Sequence, residues 1–217
     1  MILGSIVVTL ISIIIGVPLG IATALYLTFF ASKRVKKVMN PSVELLAGIP
    51  SVVYGFFGLM VLVPIMRTVT GNGKSILTAS ILLSVMILPT IVTVSQSSLN
   101  ALDPALLEGA LALGDSKERA VLRVMMPAAS SGIMSSVVLG IGRSIGETMA
   151  VVMVAGNQPR IPSSLLEGAR TMTANIVLEM GYAADLHREA LLATGAVLFV
   201  FILLINLSFS LIRRKKK

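Results

Sequence analysis

Residues 4 to 31 contain no charged side chain. A helix of that length rises about 42 Å at 1.5 Å per residue, more than the roughly 30 Å of hydrocarbon in a bilayer. Inside lipid every backbone amide and carbonyl must be satisfied internally, which a helix does within one segment. The run therefore reads as a membrane span, with Pro18 as a kink and Gly16 and Gly20 as a close-contact pair. A cleaved signal peptide is the competing reading, but the run is too long, lacks a basic leader and has no small-residue cleavage site.

The same signature recurs along the 217 residues at 43 to 66, 75 to 97, about 130 to 156 and 189 to 212. With 55% hydrophobic and 13% charged residues, the chain is too apolar for a soluble domain, where charges make up roughly a quarter. The expectation is one all-α domain over 1–217, a polytopic membrane helical bundle of about five spans. The second span is interrupted by Pro50, Gly55, Gly58 and Pro64, with Glu44 at its entrance, and the third contains Pro89. Such breaks are tolerated where the freed backbone faces protein or water. The polar stretch 157 to 188 includes TMTANIVLEMGYA, which reads as a helix lying on the membrane surface.

The net charge of +8 raises nucleic acid as a partner, but the cations sit in short loops and at the C-terminus, which membrane topology explains better. Alternating sides give twelve basic residues to one face: Lys33, Arg34, Lys36 and Lys37, then Lys117, Arg119 and Arg123, then 213 to 217. The other face receives five: Arg67, Lys74, Arg160, Arg170 and Arg188. The first face is expected to be cytoplasmic, which puts the region 103–127 and the C-terminus inside and 157 to 188 outside, in a cell (plasma or inner) membrane. Five spans then leave the N-terminus outside, so the reading expects a chain that starts at an internal Met and lacks a first span.

The segment AASSGIMSSVVLGIGRSIGETMAVVMVAGN carries Arg143 and Glu147 near its middle. Two charges at bilayer depth cost about 5 to 7 kcal/mol, and the nine Val, Ile and Leu residues return about 3 to 5. Such a helix inserts only with neighbours or a water-filled cavity to hold its charges. At 100° per residue Ser136, Gly140, Arg143, Glu147, Ala150 and Val154 share one arc, while Val138, Ile141, Ile145, Met149 and Val152 lie opposite. Arg143 and Glu147 are spaced to pair, and Gly142 with Gly146 allows close helix approach. A purely structural ion pair is the bland alternative to a functional one.

Upstream, DPALLEGALALGDSKERAVLRVMMP reads as a cytoplasmic helical hairpin. Asp103-Pro104 starts a helix, Gly114 stops it, and Asp115 with Glu118 reads as a capping box for a second helix that ends before Pro127. The first helix is too rich in Leu and Ala to face water on every side, so it wants a partner surface. Elsewhere, the chain offers no Cys, one His (His187) and no phosphate-binding loop of the Walker type, so neither a metal site nor an energy source is visible in it. No catalytic residue, no metal and no enzymatic activity are expected of this chain.

The hairpin resembles the signature of ABC importer permeases: Glu-Ala-Ala, three residues, Gly, nine residues, Ile, one residue, Leu-Pro. Here Glu108-Gly109-Ala110, Gly114, Val124 and Met126-Pro127 stand at those spacings, departing at Gly109, Val124 and Met126. Segments 47 to 64, 110 to 133 and 140 to 165 are further similar to the phosphate-specific permeases, and Gly146-Glu147-Thr148-Met149-Ala150-Val151 looks like the PstC type rather than the PstA type.

The resemblance implies a type I ABC importer permease fold, normally of six spans. It implies a PstA-like permease subunit, a PstB-like ATPase dimer and a PstS-like phosphate-binding protein as partners, with the lipid bilayer around them and no nucleic acid. No cofactor is expected on this chain; ATP and Mg belong to the partner ATPase. Leu106, Leu107, Glu108, Gly109, Ala110, Leu111, Gly114 and Pro127 would couple to that ATPase, and Arg143, Glu147, Thr148, Ser136 and Gly140 would form the pathway or gate. Arg suits oxyanions, but a Glu one turn away cancels its charge, which favours a gate over direct substrate contact. Import of sulfate or molybdate is the alternative within the class, and an ATP-independent channel or secondary transporter lies outside it.

Overall fold

The computed structural model describes residues 1–215, with side chains through Ser208. Of the expected basic tail, Lys216 and Lys217 lie outside the described residues. Every regular element among the described residues is helical, apart from one isolated bridge between Gly156 and Ala169. The elements are α1 (Ile2–Leu25), α2 (Lys33–Gly48), α3 (Ser51–Phe57), α4 (Val63–Thr70), α5 (Ile76–Asn100), α6 (Pro104–Ala112), α7 (Lys117–Ala120), α8 (Met126–Ala128), α9 (Ser130–Gly146), α10 (Met149–Val154), α11 (Met172–Met180) and α12 (Asp185–Lys215). Wide π turns at Tyr26–Phe30, Gly58–Leu62 and Val121–Met125 extend α1, join α3 to α4 and join α7 to α8. The last two each end two residues before a proline, Pro64 and Pro127. A proline removes one amide and crowds the preceding turn, and a wider turn makes room for it.

The chain gathers into two compact units. One comprises Met1–Gly16, Ile49–Ile87 and Ile141–Lys217, the other Val17–Gly48 and Leu88–Gly140. The core of the first contains Val8, Ile76, Leu83, Met86, Val151 and Val154. Within it Gly16 lies so close to α5 that a Cβ would stand 2.8 Å from Ile87 Cδ1, and Ser12 and Ser144 share a 2.7 Å hydrogen bond. In the second unit Ala24, Leu25, Leu99, Val121, Ala129 and Ile133 form one cluster and Leu27, Val43 and Val92 another. A Cβ at Gly20 would stand 2.7 Å from Ile91 Cγ2, and Ser95 bonds Ser136 at 2.9 Å. The Gly16/Gly20 pair thus does what its spacing predicts.

Among the described residues, four helices are long and apolar enough to cross a membrane: Ile2–Phe30, Ser51–Thr70, Ile76–Asn100 and Asp185–Ser208. A fifth arises if Lys117–Ala128 and Ser130–Gly146, bent by 72°, are counted as one broken span.

Several boundaries differ from the sequence expectation. The basic stretch after the first run is no loop: it opens the 16-residue α2, held by Val43 packed on Leu27 and Val92. The second span therefore begins at Ser51 rather than 43, because Ile49 precedes Pro50, which is extended at ψ 142°. Glu44 consequently lies on α2 and not at a span entrance. The expected span 130 to 156 is not one helix, since α9 stops at Gly146 and α10 starts at Met149. The second arm of the hairpin does not end before Pro127 but continues through α8 to Ala128. The helix expected to lie on the membrane surface is α11, and its first residues, Met172 to Asn175, are buried.

Candidate functional site

The interruption between α9 and α10 brings Glu147, Thr148 and Thr173 together. Its backbone departs from helix at Thr148, with φ −122° and ψ −62°. A gap in a span exposes carbonyls and amides that lipid cannot satisfy, and here the chain satisfies them itself. Glu147 Oε1 accepts the Ala150 amide at 3.1 Å, so the carboxylate caps α10, where the helix dipole favours a negative charge. Buried Thr173, on α11, donates its hydroxyl to the Glu147 carbonyl at 2.9 Å, and Thr148 donates to the Gly146 carbonyl at 3.2 Å. Behind the gap α3 presses on α10: a Cβ at Gly55 would stand 2.8 Å from the Ala150 Cα. Only glycine fits there.

The expected arc is only partly realised. Arg143 and Glu147 are half-buried, but Ala150 and Val154 are fully packed in the core and Ser136 is tied to Ser95. Gly140 is also buried. Because α9 ends at Gly146, the four-residue spacing of Arg143 and Glu147 no longer measures one helical turn. Gly142 and Gly146 face open space, with nothing within 4 Å of an added Cβ. The Arg143 guanidinium is within electrostatic reach of the Tyr54 hydroxyl on α3. Tyr54 and Thr173 escaped the sequence reading. A polar-tipped aromatic inside an interrupted span was a usable signal for Tyr54, whereas nothing in the chain order links residue 173 to residue 147.

The hairpin belongs to the second unit. Asp103 caps α6 through the Ala105 amide at 2.9 Å, with Pro104 behind it. Gly114, at φ +91°, closes the helix: its amide bonds the Leu111 carbonyl at 3.0 Å, and that of Asp115 bonds the Ala110 carbonyl at 3.2 Å. This is a Schellman turn. The expected capping box does not form: the N-cap is Ser116, whose hydroxyl accepts from the Arg119 amide, and the Asp115 carboxylate stands 3.6 Å from the Arg119 guanidinium instead. Leu106, Glu108, Gly109, Leu111 and Pro127 are exposed as a docking face needs, whereas Leu107 packs into the cluster around Leu99 and Ala110 is buried. Leu113, 91% exposed, was missed. It directly precedes Gly114, where it stands at the corner of the turn.

The polar stretch after α10 is fastened by Arg170, which donates to the Asn157 carbonyl at 3.0 Å, to Asn175 Oδ1 at 3.3 Å and to Glu179 Oε1 at 2.6 Å. Hydrogen bonds from Tyr182 and then from Arg170 hold the Glu179 carboxyl below the usual carboxylate range, and the same carboxylate pushes the Tyr182 phenol up. No group of three or more metal-binding side chains occurs among the described residues.

The sequence profile of the family described as "Binding-protein-dependent transport system inner membrane component" matches residues 16–217. A probable ABC transporter permease protein of Bacillus subtilis, YqgH, is 45% identical over 94% of this chain and 69% of its own length. The phosphate transport system permease protein PstC of Mesorhizobium japonicum is 36% identical over 93% of this chain and 68% of its own. Among solved structures, the inward-facing methionine transporter MetNI aligns with TM-score 0.72 at 20% identity, over 99% of this chain and 91% of that one. A bacterial importer of alginate aligns with TM-score 0.74 at 18% identity, over 99% and 78%. At such identities the likeness concerns the fold.

Proposed function

We propose that this chain, which belongs to the family of binding-protein-dependent transport system inner membrane components, carries inorganic phosphate into the cell as the PstC-like half of a permease pair. It is a multi-pass membrane protein and a permease subunit of an ABC importer. The observation that carries the pathway reading is the break between α9 and α10, where Arg143 stands in the last turn of α9 and Glu147 in the break itself, and where Thr148, Thr173 and Glu147 take up the Gly146 and Glu147 carbonyls and the Ala150 amide. Two intramembrane charges at a helix break are costly for a merely structural element. Phosphate is supported by the PstC relatives.

In this reading the PstB-like ATPase dimer grips α6 through Leu106, Leu111 and Leu113 on the cytoplasmic side. ATP and Mg act on that partner. Closure of the dimer pushes α7 and α8, which turn into α9 through the single residue Ala129, and α9 moves the gap at Glu147–Thr148. A PstA-like subunit completes the pathway, and a PstS-like protein delivers phosphate from outside, on the side of residues 157 to 188. Glu147 works as a gate: its negative charge guards Arg143 until the gap is displaced. Direct contact of Arg143 with the anion is the second reading, favoured by the match of a guanidinium to an oxyanion.

The test is phosphate uptake and ATP hydrolysis by the assembled transporter carrying Arg143→Gln, Glu147→Gln or the charge-swapped pair. Gln keeps an acceptor for the Ala150 amide and removes only the charge. For a gate, Glu147→Gln lowers uptake on the order of tenfold, equivalent to about 1.4 kcal/mol, while ATP hydrolysis continues. A fully active Glu147→Gln would sink the gate. Competition among phosphate, sulfate and molybdate decides the substrate, and flux without the ATPase would turn the assignment toward a channel.

A further inference from the structure

We infer that α2 and its immediate surroundings form a binding surface for anionic phospholipid headgroups. The helix is 16 residues long, about 24 Å. Two residues separate it from the end of the preceding span at Phe30, and two from the start of the next at Ser51. A rod tethered this closely to spans at both ends stays at the bilayer edge. Its roll is fixed by Val43, 8% exposed against Leu27 and Val92. With that roll Lys33, Arg34 and Lys37 are exposed, and so are Val38 at 66% and Leu45 at 73%.

At 100° per residue Lys33 and Lys37 share one 40° arc, and Arg34, Val38 and Leu45 share the arc beside it. Cations thus border an exposed apolar strip. Lys36 is withdrawn, its Nζ donating to the Thr28 carbonyl at 2.8 Å. Lys117 adds a cation at the same level, its Nζ standing 5.4 Å from the Phe30 ring centre. Glu44 is the one acidic residue on α2 and lies on the arc of Lys33 and Lys37. A free anion would use the cations and leave Val38 and Leu45 in water. A phospholipid serves both, its phosphate on Lys and Arg and its acyl chains on the apolar strip, as in basic amphipathic helices at anionic membranes.

The chain contains no Trp, so Val38→Trp supplies a single fluorescent reporter in the full-length protein. Reconstituted with brominated phosphatidylglycerol or brominated phosphatidylcholine, this reporter is expected to be quenched by the anionic lipid with an association constant higher on the order of tenfold. Adding Lys33→Gln, Arg34→Gln and Lys37→Gln brings the ratio close to one. A second reporter, Leu203→Trp on α12, is quenched equally by both lipids in either background and verifies insertion and fold. Equal quenching of Val38→Trp by the two lipids, or a preference that survives the triple substitution, overturns the inference. Loss of the preference on adding inorganic phosphate at constant ionic strength assigns the cations to a free anion. Absence of quenching by either lipid assigns the helix to a protein partner.

Discussion

Helices α5 and α12 have similar mean hydropathy, 2.2 and 2.6, yet 67% of the α5 window is buried inside the protein and only 6% of the α12 window. Both would be taken for spans, and apolarity alone does not tell them apart. Side-chain size and hydroxyl content do. Along α5, Thr78, Ala79, Ser80, Ser84 and Ser95 are buried, and Ser80 and Ser95 reach other segments through Val8 and Ser136. Among the described residues of α12, Thr194 and Ser208 bond their own helix four residues back, while Phe199, Leu203 and Leu204 stand exposed at 66%, 49% and 53%. Lipid is as apolar as leucine, so helices meet in membranes through small residues and hydroxyls. A helix of bulky aliphatics is left to the lipid.

The sharpest way to break this contrast is to give α5 a side chain of the α12 kind. Ala79→Leu puts a bulky group where the native residue has no exposed surface, and overpacking of this sort is expected to cost about 1 to 3 kcal/mol. The measurement is the unfolding midpoint in detergent, and an unchanged midpoint would contradict tight packing of α5. A smaller effect is expected from Ser95→Ala, which removes the bond to Ser136. Bonds of this kind average about 0.6 kcal/mol and reach about 1.7. A double-mutant cycle with Ser136→Ala isolates it, and zero coupling would show that size rather than hydroxyl pairing places α5. The least effect belongs to Leu203→Ala on α12, within about 0.5 kcal/mol for an exposed position. A loss several times larger would mean that α12 is covered by another subunit rather than by lipid.

Much of this arrangement was legible in residue order. The runs that became α1, α5 and α12 are long and apolar, and Gly114 announces a helix end because its φ of +91° suits glycine alone. Where the reading failed, local signals pointed the wrong way. Four cations in five residues looked like a loop, but Lys and Arg are good helix formers, and Val43 had a partner in Leu27 and Val92 that chain order does not reveal. The gap after Gly146 was hidden for a similar reason. SIGETMAV contains no proline, and its apolar period runs on without a fault. What stops the helix is tertiary, a Thr173 hydroxyl on the Glu147 carbonyl and α3 against α10 at Gly55. Leu107 shows the same limit in the hairpin, since the resemblance grouped it with Leu106 and Leu111 while the fold turned it inward.

The wide turns at Gly58–Leu62 and Val121–Met125 are places where a helix has accommodated one residue beyond its regular count. Deleting one residue there would restore the ordinary 3.6-residue winding and spare the side chains beyond it the rotation of about 100° that a deletion causes elsewhere. A lineage can thus lengthen or shorten these segments by one residue without reorienting their faces, so length differences between kindred chains should gather at these two turns.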